Sequence, residues 1–215
     1  MKRMKKFWAL LLALAMTCSL AACGGSSDEE PATDDQTTED TAANDAGTES
    51  DLAYVQDKGT LVVGITEFEP MDYQDADGNW IGFDADMAKA FAESLGVTAE
   101  FQLIEWDNKV MELDGKTIDV VWNGMTLTDE VTSAMSCSNA YCNNAQVVVL
   151  PADVAADYPD VESMAGLNFA VESGSFGQAQ AEANGFTYTE VVDQATALME
   201  VASGTADAAI IDSLM

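Results

Sequence analysis

From Gly59 onward, apolar residues arrive in short runs that switch between two spacings. Leu61-Val62-Val63-Gly64-Ile65 is a continuous apolar run with a β-branched bias, which suits a strand covered on both faces. A loop rich in turn residues follows (Asp75, Asp77, Gly78, Asn79). Met87, Phe91 and Leu95 then recur at helical spacing, behind Asp84 and Asp86 and ahead of Gly96, so the pattern predicts a helix between ordinary boundaries. Val97, Ala99, Phe101 and Leu103 alternate with polar residues as the next strand. Val110, Met111 and Leu113 mark a short helix stopped by Gly115, and 118–122 reads as a strand. This β-α-β-α-β order predicts a parallel sheet with right-handed crossovers.

Ala145 to Pro151 reads as a further strand, after which the pattern restarts. A strand at 169–171 leads to the turn Ser173-Gly174-Ser175 and an alanine-rich helix ending at Gly185. A polar-alternating strand at 187–192, a helix to Ser203 and a strand at 206–211 complete it. Gly204-Thr205-Ala206-Asp207 echoes Gly115-Lys116-Thr117-Ile118-Asp119, so each half delivers one polar turn after an equivalent strand. Two similar lobes facing each other are expected, with Val147–Pro151 as the crossing between them.

The chain's start follows a different logic. Lys2, Arg3, Lys5 and Lys6 precede an apolar stretch from Phe7 to Met16. That stretch is far short of the roughly 20 residues a membrane-spanning helix needs, so it reads as a signal peptide. Leu20-Ala21-Ala22-Cys23 matches the bacterial lipobox, which makes Cys23 the expected lipidation site. From Gly24 to Ser50 there are nine acidic residues, no basic ones and no aromatic or large aliphatic side chain. Such a segment buries too little apolar surface to offset ordering entropy, so an extended, disordered linker is expected.

Charge and residue usage then narrow the chemistry. The formal net charge is −30, and an acidic surface repels nucleic acid and anionic lipid headgroups. The chain has no histidine, and no arginine after Arg3, which removes the usual general base and the usual bidentate carboxylate clamp. Cys18 leaves with the leader, so Cys137 and Cys142 are the thiols left in the exported body. Five residues of separation admit a disulfide if the backbone turns between them, whereas strand alternation would point them to opposite faces. Two thiols without histidine fall short of a metal's ligand set, and no cofactor is expected.

The most informative run is GKTIDVVWNGMTLTDE, residues 115–130. Its strand ends in Asn123-Gly124-Met125-Thr126, a bare backbone turn beside a large aromatic, and in open α/β sheets ligands sit outside the carboxyl ends of strands. With Gly82-Phe83-Asp84 upstream, the run resembles the lobe-one signature of bacterial extracellular solute-binding proteins, specifically the amino-acid-binding family of ABC importers. The resemblance covers roughly Gly59 to the C-terminus. It implies a two-lobed periplasmic-binding-protein-like α/β fold, each lobe a mostly parallel sheet flanked by helices. The boundaries it suggests are 1–22 signal peptide, 23–50 lipidated linker, 51–148 lobe one and 149–215 lobe two. The chain stops as its last strand exits at Asp212, so lobe two is expected to be incomplete and to expose sheet edge and apolar surface.

Carried over position by position, the resemblance implies a ligand site of eight residues. Phe68 and Trp106 match the aromatics on either side of the ligand, where an ammonium gains about 0.5–2 kcal/mol of cation–π stabilisation. Gly124, Met125 and Thr126 match the turn that meets the ligand's ammonium and carboxylate. Ser173 and Ser175 flank the turn that offers N–H groups and a hydroxyl near a helix N-terminus, and Asp212 matches the acid that pairs with the α-ammonium. Two departures stand out. Val131 occupies the place of the arginine expected to clamp the carboxylate, and Glu172 stands where a polar or basic residue is usual; facing the cleft, it would suit a cationic end.

The function implied is that of a monomeric, membrane-anchored extracytoplasmic binding protein, which captures an amino acid or similar polar solute and delivers it to a permease. The alternatives are a ligand-sensing domain of the same fold and a dehydratase-like enzyme. The missing histidine and arginine weigh against the latter.

Overall fold

The structure, a computed structural model, describes residues 50–215. The leader, Cys23 and almost all of the acidic linker lie outside the described residues. The first lobe opens with helix α1 (Asp51–Lys58) and strand β1 (Thr60–Ile65). β1 runs parallel to β4 (Thr98–Leu103) on one side and to the two-residue β5 (Val120–Val121) on the other. Helix α2 (Phe83–Ser94) packs Ala88 and Ala92 onto Val63 and Ile65, and α1 adds Val55 to the same core. A short helix α3 (Lys109–Asp114) joins β4 to β5.

Three features of this lobe depart from the hydrophobic pattern. The stretch read as a loop holds a small antiparallel pair, β2 (Tyr73–Gln74) and β3 (Trp80–Ile81). Asp75 organises its turn by accepting from the N–H groups of Asp77 and Asn79 at 2.9 and 2.8 Å, an Asx-type turn that apolar periodicity cannot signal. The strand expected over 118–122 is regular only at 120–121, with Asp119 and Trp122 N–H still donating to Val62 O and Gly64 O at 2.8 and 3.1 Å while Ile118 N–H turns back to Glu112 O at the end of α3. Helix α4 (Asp129–Ala134) was also unmarked by periodicity; Thr128 caps it by accepting from Val131 N–H at 3.2 Å.

The second sheet has the order β6 (Gln146–Val149), β9 (Ala208–Asp212), β7 (Asn168–Glu172), β8 (Thr187–Val191). β7 is parallel to both β8 and β9, while β6 is antiparallel to β9. Helix α5 (Phe176–Ala183) covers one face, where Phe169, Val171, Ala208 and Ile210 meet Ala181 and Phe186. Helix α6 (Gln194–Ser203) covers the other, where Ala170, Ala209 and Ile211 meet Ala197 and Val201. Alternation along β7 and β9 thus feeds two cores from one sheet.

β6 pairs with β9 along its whole length, so 146–149 belongs to the second sheet. The crossing between lobes therefore falls before Gln146, in the irregular stretch after α4, and not within Val147–Pro151. β6 is an outer strand of that sheet, and Val192 and Met199 are exposed on the second lobe. The larger apolar groove, about 610 Å³, instead lies beside β5 in the first lobe, lined by Met71, Met87, Phe91, Trp122 and Met135, with Leu214 at its margin. The admitted disulfide is not formed: Cys137 and Cys142 are free, exposed thiols. Their segment is irregular rather than a tight turn, and Cys137 Sγ faces the Met135 carbonyl at 3.6 Å.

Candidate functional site

A small cavity, about 20 Å³, lies where the carboxyl ends of the two sheets' strands meet. From the first lobe come Phe68 beyond β1, Trp106 beyond β4, and Asn123, Gly124 and Thr126 beyond β5. From the second come Glu172 at the tip of β7, Ser175 and Phe176 at the start of α5, Gln194 at the start of α6, and Asp212 at the tip of β9. The room is close to that of a single water, so a solute enters only as the lobes or these side chains move apart.

The aromatic side is fixed by backbone. Phe68 closes a tight turn, donating its N–H to Asp72 O at 2.7 Å while its carbonyl accepts from Met71 and Asp72. Its ring lies close against Gly124: a Cβ there would sit 2.4 Å from Phe68 Cε1. Glycine at 124 is thus a requirement of space. Trp106 starts a single turn of 3-10 helix and is 6% exposed. Asn123 Nδ2 donates to Thr66 Oγ1 at 2.7 Å, which holds the turn after β5 to the end of β1.

The opposite side is acidic. Asp212, 6% exposed, accepts from the side-chain amides of Asn144, Gln146 and Gln194, and its own N–H donates to Gln194 Oε1 at 2.7 Å. An expected cation is replaced by a shell of amides, which stabilises the buried carboxylate without a counter-charge. Glu172 is 2% exposed; its Oε1 has no partner, and Gln194 Nε2 reaches Oε2 at only 3.4 Å. Burial pushes the Glu172 pKa up to about 8, opposed by the Gln194 amide and Lys109 and reinforced by Asp212 and Asp193. Among the described residues no basic side chain borders the cavity.

Two lobes closing acids and aromatics over one cleft match a known architecture. The family model of bacterial extracellular solute-binding proteins, family 3, matches residues 61–199. The chain belongs to that family. It is 27% identical over 217 residues to the arginine-binding extracellular protein ArtP of Bacillus subtilis, a match covering 99% of this chain and 74% of that protein. It is 37% identical over 91 residues to the L-cystine-binding protein TcyJ of Escherichia coli, covering 42% of this chain and 34% of that one. Its fold superposes on the crystal structure of the ancestral amino acid-binding protein AncCDT-1, described as a precursor of cyclohexadienyl dehydratase. That match has a TM-score of 0.73 and 32% identity, over 76% of this chain and 74% of the other.

Within this family-3 solute-binding protein, six of the eight residues carried over from the resemblance border the cavity: Phe68, Trp106, Gly124, Thr126, Ser175 and Asp212. Met125 and Ser173 do not. Met125 faces the apolar groove beside β5, and Ser173 Oγ turns to Glu190 at 3.1 Å. The turn between β7 and α5 also offers fewer donors than expected. Ser173 N–H goes to Val191 O, Gly174 N–H to Gln178 Oε1 and Ser175 N–H to Glu172 O. Ser175 Oγ caps α5 by accepting from Gln178 N–H, which leaves the N–H groups of Phe176 and Gly177 as the helix-end donors. Val131 lies inside α4 and does not border the cavity.

Asn123, Phe176 and Gln194 border the cavity without having been singled out. Each sits within four residues of a strand's carboxyl end, and that positional rule is the signal that could have found them.

A separate acidic pair lies inside the first lobe. Asp72 and Asp84 are both fully buried, and Asp84 N–H donates to the carbonyl of Met71. Tyr141 Oη donates to Asp84 Oδ1 at 2.9 Å, while both Asp72 oxygens and Asp84 Oδ2 lack partners. Burial pushes Asp72 up to about 8, aided by the charge of Asp84; burial also raises Asp84, against the Tyr141 bond and the nearby Trp122 indole.

Proposed function

We propose that this protein binds a small solute carrying an ammonium or guanidinium beyond its α-amino acid group, and delivers it to a membrane permease of an ABC importer. The observation that carries this is Glu172: a buried acid at the cavity with an unpartnered oxygen, beside Asp212 and opposite Phe68 and Trp106. A cationic end placed there supplies the missing partner and lets Glu172 ionise. Asp212 takes the α-ammonium, Phe68 and Trp106 flank the ligand, and Gly124 and Thr126 offer backbone and hydroxyl contacts. The carboxylate, without an arginine, is met by the N–H groups of Phe176 and Gly177. In this reading Cys23 carries the lipid that holds a monomeric protein on the outer side of the membrane. Similarity to an arginine-binding protein supports the cationic ligand.

Isothermal titration of the full chain with arginine, lysine, glutamine and glutamate tests it. Arginine or lysine should bind at least about tenfold tighter than glutamine, with glutamate weakest, and Glu172→Gln should narrow that gap. Glutamate binding as tightly as arginine would sink the proposal. A competing reading has one observation behind it: a buried carboxyl that keeps its proton near neutrality, in a fold shared with a precursor of a dehydratase, is equipped as a general acid. Recovering the ligand chemically unchanged after incubation decides for binding.

A further inference from the structure

Lys109 stands apart from the other lysines of the folded body. Lys58, Lys89 and Lys116 lie at the surface, the first two beside carboxylates. Lys109 is 8% exposed and has no carboxylate within ion-pair distance among the described residues. Its Nζ donates to two backbone carbonyls, Trp106 O at 3.1 Å and Gly174 O at 3.0 Å, and sits 4.7 Å from the centre of the Trp106 ring. The first carbonyl belongs to its own lobe and the second to the opposite lobe. A second contact lies at the same place. A Cβ on Gly174, whose φ is +70°, would fall 2.7 Å from Asp107 Cα. The two backbones therefore meet there with no room for a side chain.

From this geometry we infer that Lys109 is a positioning residue for capture: its ammonium latches the lobes together through Gly174 O, without itself touching the solute. The inference rests on the cleft being the binding site proposed above, but the contact consists of protein atoms alone. Burying an ammonium is costly, and burial indeed lowers the Lys109 pKa against the pull of Glu172 and Asp107. Charge-assisted bonds to two carbonyls and the face of an indole offset that cost. The return is on closure. Opening the lobes strips Lys109 of Gly174 O, so the closed arrangement is favoured by a fixed amount whatever solute it holds. Glu172 sets which solute is preferred; Lys109 sets how tightly every solute is kept. Gly174 serves the same end, since only a residue without a side chain lets the second lobe approach Asp107.

The test uses the full chain with Lys109→Met, Lys109→Arg and Gly174→Ala, read by small-angle scattering without added solute and by titration with arginine, lysine and glutamine. Lys109→Met and Gly174→Ala should enlarge the radius of gyration. They should weaken all three solutes by a common factor of about ten, mostly through faster release. Lys109→Arg, which keeps charge and donors, should restore both readouts and also guards against a mere folding defect. An unchanged radius in Lys109→Met overturns the latch. So does a change in the ratio between arginine and glutamine, which would make Lys109 a solute contact. If no solute binds the unaltered protein, the functional reading fails on its own, and the scattering still decides the latch.

Discussion

The two lobes share a scaffold down to single hydrogen bonds and differ at the cleft chiefly in charge. In the first, Glu112 O accepts from the N–H groups of Thr117 and Ile118, and in the second Glu200 O accepts from Thr205 and Ala206. Asp119 N–H then donates to Val62 O at 2.8 Å and its carboxylate accepts from Val62 N–H at 2.6 Å. Asp207 repeats this on Asn168 with 2.9 and 2.8 Å. One side chain before β5 and one before β9 thus tie each strand to its parallel neighbour in the same way. At the far ends the likeness is partial: each lobe offers an aromatic ring, a side-chain amide and a hydroxyl, but only the second adds acids, Glu172 and Asp212. Repetition of the frame leaves the tips free to diverge, and both acids that border the cavity lie in the second lobe.

Each lobe also buries one acid whose pKa is pushed up to about 8, Asp72 in the first and Glu172 in the second. Both hold a proton more tightly folded than unfolded. Their contribution to stability is complete below the ordinary carboxylate range and is lost as pH rises through about 8. The largest expected effect follows: stability should fall between pH 4 and 8, by up to about 1.4 kcal/mol per pH unit for each group. Asp72→Asn and Glu172→Gln should each remove part of the slope, and the double variant should flatten it. Urea midpoints at pH 5 and pH 8 measure this, and greater stability at pH 8 would refute it.

Next in size is Gly124→Ala, which drives a methyl into the Phe68 ring and should cost about 1–3 kcal/mol, read as a lower melting temperature with weakened solute binding. Glycine-to-alanine changes at sites with open space should show no such pairing of effects. The shared aspartates sharpen the comparison further. Asp119 also pairs with Lys58 at 2.5 Å and its side chain is nearly buried, whereas Asp207 is exposed. Asp119→Ala should therefore cost about 2 kcal/mol and Asp207→Ala about 1 kcal/mol by chemical denaturation; a larger loss at 207 would contradict the assignment.

The smallest effect concerns the left-handed residue that ends α3 and α6. It is Gly204 in the second lobe (φ 77°) but Lys116 in the first (φ 56°). Lys116→Gly should raise stability by less than about 1 kcal/mol, because an L side chain is strained there while its contact 4.6 Å over the Tyr54 ring is lost. A clear destabilisation would show that the aromatic contact outweighs backbone strain.

Much of this frame was legible in the sequence because apolar spacing reports burial directly. Strands β1, β4, β7 and β8, and helices α2, α5 and α6, fall close to where the pattern puts them. The echo before β5 and β9 was visible too, although the structure aligns Gly204 with Lys116 and not with Gly115, since each follows by four residues the glutamate whose carbonyl closes the helix end. What escaped was built from polar side chains: the Asp75 turn, the Thr128 cap and the amide shell of Asp212. The antiparallel sense of β6 escaped as well, because a half-buried apolar run carries no record of its direction. Met125 and Ser173 show the same limit at the site. A turn's neighbours share its position along the chain, but only backbone dihedrals decide which of them points inward.

The register that seats Gln146 opposite Asp212 joins the connector to the site's chemistry. Asn144 and Gln146, the residues by which the chain enters the second sheet, are two of the three that solvate the acid. Asn144, the outer of the two, lies in the stretch about which one sheet would swing, so the connector itself supplies part of the acid's shell.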